Sequence, residues 1–73
     1  MTQTGASLFD GNRLSDLIDR YVNGKKSLRN REILREYYLK GYTYEEIAEH
    51  FELSPAQTGR IIRKYGETLL EML

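Results

Sequence analysis

Thr43-Tyr44-Glu45-Glu46-Ile47-Ala48-Glu49-His50-Phe51-Glu52-Leu53-Ser54-Pro55-Ala56-Gln57 decides the reading of this chain, because it contains two helix starts in close succession. Thr43 followed three residues later by Glu46 has the form of a capping box, in which each side chain satisfies an orphan backbone donor of the other residue. Tyr44, Ile47, Ala48 and Phe51 then recur at helical spacing. After Glu52 and Leu53 the signal repeats. Ser54 stands as cap, Pro55 takes the first helical position, where its missing N–H costs nothing, and Gln57 lies three residues beyond the cap. Two helices joined by so short a turn predict a helix-turn-helix over 44–65.

Working outward, Thr58, Ile61, Ile62, Tyr65, Leu69 and Met72 give the second of these helices one apolar stripe that runs nearly to the C-terminus. Gly66 interrupts it and predicts a kink or break. Upstream, Leu14, Leu17, Ile18, Tyr21 and Val22 predict an amphipathic helix that Asn23-Gly24 stops. Ser27 is expected to cap another, with Ile33, Leu34, Tyr37 and Tyr38 inward and Lys40-Gly41 at its end. Residues 1–11 hold little to bury and are expected to be flexible. Residues 12–73 are expected to form one domain, and the fold class is all-α, a small four-helix domain containing a helix-turn-helix.

Composition narrows the functional classes. In 73 residues, 40% are hydrophobic and 30% charged, the balance of a folded domain rather than a disordered chain. Cysteine is absent and His50 is the single histidine, so neither a metal site nor any cofactor is expected. No apolar run is long enough for a membrane span, and a cytoplasmic protein, associated with the nucleoid when bound to DNA, is the simplest expectation. No nucleophile, base and acid combination and no glycine-rich phosphate loop is present, so an enzyme is not expected.

The formal charge is zero, from eleven basic and eleven acidic residues, but it is unevenly distributed. Residues 25–40 sum to +4, 41–52 to −4 and 53–64 to +3. On the second helix of the pair, the inward stripe leaves Ala56, Gln57, Arg60, Arg63, Lys64 and Glu67 on the opposite face. That face is the expected reading head for double-stranded DNA. Gln57 has the donor and acceptor pair to match adenine and Arg60 the pair of donors to match guanine. Ala56 and Gly59 complete the base-contacting set, with Gly59 allowing the backbone close to DNA or to the bracing helix. Ser54, Arg63 and Lys64, with Lys25, Lys26, Arg29 and Arg31, are assigned to phosphates, Arg35 lying in the same basic cluster. Tyr21, Tyr37, Tyr44 and Tyr65 are expected in the core, with Tyr38 and Tyr42 nearer the surface. His50 is expected on a solvated acidic face beside Glu45, Glu46 and Glu49.

The segment from Ser27, read as SLRNREIL and then YTYEEIAEHFELSPAQTGRIIRKYGETLLEML, resembles the fourth region of a bacterial sigma factor. Ser27 to Leu34 matches that family's opening in kind, Thr43 to Ala48 its bracing helix, and Glu52 to Ser54 its turn. The resemblance implies a DNA-binding domain like that reading a promoter element, of the kind also found in short phage and bacterial regulators. Where the family carries a strongly basic run, this chain has Ser54-Pro55-Ala56-Gln57-Thr58-Gly59, which departs from that pattern. The expected function is a sequence-specific transcriptional regulator, with a homodimer or a partner adding affinity. The alternative is an adaptor of the same fold that binds RNA polymerase or another protein through the acidic bracing helix and the apolar tail Leu69, Leu70, Met72 and Leu73.

Overall fold

The computed structural model describes residues 11–73, which form four helices and no strand. They are α1 (Gly11–Tyr21), α2 (Ser27–Tyr38), α3 (Tyr44–Phe51) and α4 (Pro55–Glu71). The expected flexible start at 1–11 lies outside the described residues except for Gly11, which opens α1.

All four helices contribute to one core. Leu14, Leu17, Ile18 and Val22 meet Ile33 and Leu34 of α2, Ile47 of α3, and Ile62 and Leu69 of α4, with Tyr37, Tyr44, Phe51 and Tyr65 packed around them. Removing a stripe of such side chains from water is the main favourable term available to so small a domain. The C-terminal turn belongs to this core: Leu69 is buried, and Arg13 of α1 donates to the Met72 carbonyl at 3.1 Å. Leu70 and Leu73 remain exposed.

Glycine shapes the first turn. Gly24 has φ +115°, a conformation that a side chain would strain, and it ends the α1 segment as Asn23-Gly24 predicts. The same turn corrects the start of α2. The cap position falls on Lys26, without a side-chain cap, and Ser27 is already helical, its N–H donating to the Gly24 carbonyl at 3.2 Å.

Two further expectations are corrected. Tyr21 lies 49% exposed, because the chain leaves α1 there and Val22 takes the inward position. The Tyr21 ring instead rims a small notch with Lys64, Tyr65 and Thr68. α4 does not break at Gly66 but continues to Glu71. Gly66 is buried under α2, where an added Cβ would lie 2.2 Å from the Tyr38 hydroxyl oxygen and 3.0 Å from its Cζ. The absent side chain permits two helices to cross closely. Burial there holds the Tyr38 hydroxyl above its ordinary pKa, with smaller contributions from Tyr37, Tyr44 and Glu67.

Candidate nucleic-acid interface

Both capping boxes form. The Thr43 N–H donates to Glu46 Oε1 at 2.9 Å, and the Glu46 N–H donates to Thr43 Oγ1 at 3.1 Å. Eleven residues later the Ser54 N–H donates to Gln57 Oε1 at 3.0 Å, and the Gln57 N–H to Ser54 Oγ at 3.1 Å. Between them Glu52 adopts φ +57°, a left-handed turn that ends α3 and lets the Leu53 N–H reach the Ala48 carbonyl at 2.9 Å. Ala48 is buried and Leu53 half-buried, so this short connection fixes the angle between α3 and α4.

Thr58, Gly59, Ile62, Gly66 and Leu69 face inward from α4. Ala56, Gln57, Arg60, Arg63, Lys64 and Glu67 are exposed on the other side, the face expected to read DNA. Gly59 does not belong to that face. It is buried against the bracing helix, and a Cβ there would stand 3.0 Å from Tyr44 Cε2 and 3.2 Å from an Arg63 nitrogen. Of the two close approaches its small size allows, the structure realises the one to α3, which removes Gly59 from the base-contacting set.

Gln57 lies where expected but is chemically committed. Adenine recognition needs the side-chain carbonyl as well as the amide, and the Ser54 N–H already takes one lone pair of that carbonyl and holds it toward the start of the helix. Releasing it loses one hydrogen bond worth about 0.5–1.5 kcal/mol net, to be set against the roughly 1–3 kcal/mol that a bidentate base contact contributes.

The basic residues of α2 separate into two groups. Arg31 donates to the Val22 carbonyl at 2.8 Å and to Asn23 Oδ1 at 3.2 Å, closing the C-terminal end of α1. Arg35 pairs with Asp19 and Glu32 and reaches Ser15 Oγ at 3.3 Å. The Arg35 hydrogen bond holds the Asp19 carboxyl below its ordinary pKa. Both guanidinium groups hold α2 to α1 and the turn that follows it, and Arg31, expected at a phosphate, is engaged within the fold.

Arg29 faces another way. Its guanidinium donates twice to Asn30 Oδ1, at 3.0 and 3.2 Å, and lies at a cleft of about 430 Å³ between the α1–α2 turn and α4. Lys25, Lys26, Arg29, Arg60 and Lys64 line this cleft with Asn23, Asn30 and Tyr65, and no carboxylate does. Arg60 and Lys64 therefore join the exposed face of α4 to the basic turn. The bare N-terminus of α2 at Lys26 adds its helix-dipole charge to the same region. Asn30, buried and holding Arg29, was missed in the sequence, although it stands at the stripe spacing ahead of Ile33, Leu34 and Tyr37.

The acidic side is separate. His50 Nδ1 lies 2.8 Å from Glu36 Oε1, and its ring meets Tyr42 edge to face, so His50 bridges α3 to α2 rather than standing only in solvent. Glu45, Glu49 and Glu52 are exposed. Among the described residues no group of His, Cys, Asp and Glu is placed to hold a metal ion, and no helix is long and apolar enough to cross a membrane.

A short bracing helix followed across a tight turn by a capped helix with an exposed basic face defines a helix-turn-helix domain of the DNA-binding class. The sigma-70, region 4 family matches residues 27–64, more than half of the chain, and the protein belongs to that family. No curated protein and no solved structure matches the chain.

Proposed function

We propose that this protein is a sequence-specific transcriptional regulator that inserts the first turns of α4 into the major groove of double-stranded DNA. The observation that carries this reading is the junction of two surfaces. The exposed face of α4 is continuous, through Arg60 and Lys64, with a carboxylate-free cleft that also holds Lys25, Lys26 and Arg29. Base edges would meet Ala56, Gln57 and Arg60, while phosphates would meet the cleft, Arg63 and the Ser54 end of the helix. Such a protein acts at the nucleoid.

One module of this size makes few contacts, so a second copy or RNA polymerase is proposed to supply the remaining affinity. The exposed carboxylates of Glu45, Glu49 and Glu52, which lie outside the basic cleft, favour a basic protein surface on the polymerase as that partner.

Binding selection on randomised duplex DNA at two salt concentrations tests the proposal. An enriched motif is expected, with log K falling by about 0.9 per phosphate contact for each log unit of salt. Equal recovery of all sequences at both salts would defeat it.

A further inference from the structure

Gln57 is exposed in the first turn of α4, beside the short Ala56 methyl and one turn before Arg60. A glutamine side chain ordinarily offers an acceptor and donors together, which is the adenine pattern. Here the backbone decides which end is offered. Ser54 N–H is a donor only, so the side-chain atom it meets at 3.0 Å must be the carbonyl oxygen. The reciprocal bond from Gln57 N–H to Ser54 Oγ holds the same turn closed. The Ser54 N–H takes one of that oxygen's two lone pairs and holds it against the start of the helix, while the amide nitrogen has no partner among the described residues.

We propose that the capping box makes Gln57 a donor-only reader, whose Nε2 selects guanine at one position of the DNA site. Guanine presents two neighbouring acceptors, O6 and N7, in the major groove. Thymine presents O4 alone, adenine sets a donor beside its N7, and cytosine presents only a donor. The order of preference is guanine, then thymine, then adenine, then cytosine. This inference rests on the DNA-reading role proposed above and fixes the base chemistry of one of its residues.

The chain itself supplies the means of inverting the preference. At Thr43 the same box is closed by Glu46 with bonds of 2.9 and 3.1 Å, so a glutamate is compatible with this geometry. Gln57→Glu should keep one carboxylate oxygen on Ser54 N–H and present the other as an acceptor, which suits cytosine N4.

Selection on randomised duplexes with the intact protein, Gln57→Glu and Gln57→Ala provides the test, with circular dichroism melts confirming that each variant folds. The native protein should favour guanine over adenine at one position by roughly tenfold, within the range that a base contact supports. Gln57→Glu should change that position to cytosine, and Gln57→Ala should flatten it while the other positions stay unchanged. A native preference for adenine at the position that Gln57→Ala flattens would overturn the inference, as would a Gln57→Glu motif identical to the native one. In both cases DNA binding and its salt slope survive, and the regulator reading stands. Loss of all motif enrichment in the native protein would overturn both.

Discussion

Arg31 and Arg29 are two residues apart on α2, equally charged, and engaged in opposite tasks. Arg31, with Arg35, is bound to α1 and the turn that follows it by hydrogen bonds to Val22, Asn23, Asp19 and Ser15. Arg29 turns toward α4 and joins four other cations around an open cleft. Two steps along a helix rotate a side chain by about 200°, enough to move it from one packed neighbour to the other. A basic stretch in a small helical domain is therefore not one surface: part of it holds the helices together, and the remainder lines an open cleft.

The sharpest way to break that comparison is to delete the cleft's cations. Lys25→Ala/Lys26→Ala should lower the slope of log K against log salt by about 2, one unit for each lost phosphate contact. Titration of a duplex from the selected pool would show it, and Arg31→Ala should leave the slope unchanged. The reverse effect belongs to Arg35. Arg35→Met should lower the melting temperature with the salt slope intact. Asp19 has a depressed pKa in the folded protein, so its contribution is present above the ordinary carboxylate pKa and lost as pH falls through the lower folded value. The gap between native and Arg35→Met melting temperatures should therefore close on acidification, which thermal melts from neutral to strongly acidic pH would follow.

Changes behind α4 sharpen the separation between packing and binding. Gly66→Ala should destabilise the fold by about 1–2 kcal/mol, since overpacking against Tyr38 exceeds the helix-propensity gain of the added methyl. Tyr38→Phe should recover part of that loss in a double-mutant cycle measured by denaturant unfolding. The smallest effect has the opposite sign. Thr58 is fully buried and its Oγ1 has no hydrogen-bond partner, so Thr58→Val should stabilise by about 1 kcal/mol in the same assay.

The local devices were legible in the sequence. Thr43 with Glu46 and Ser54 with Gln57 are reciprocal caps closed within four residues, and periodic stripes placed Leu14, Ile18, Ile33, Ile47 and Ile62 in the core. What needed the structure depends on residues far apart in the chain. The cleft exists because Lys25 to Arg29 approach Arg60 and Lys64 across the fold, and no spacing rule records that approach. Gly59 and Gly66 look alike as helix weak points, and only the rings of Tyr44 and Tyr38 show why each is small. Gln57 was legible as a cap and expected as a base contact, but the competition of these uses for one amide group is visible only in the bond itself.

Glu52 holds a left-handed backbone with an L side chain, at a cost of roughly 1–2 kcal/mol. Among the described residues it is the single position, apart from glycines, where a mirror-image amino acid would fit better than the natural one. A chemically synthesised chain with D-glutamate at that position should keep the carboxylate, relax the turn and melt at a higher temperature. Among the described residues, the turn between α3 and α4 is thus the point where natural chirality works against the fold.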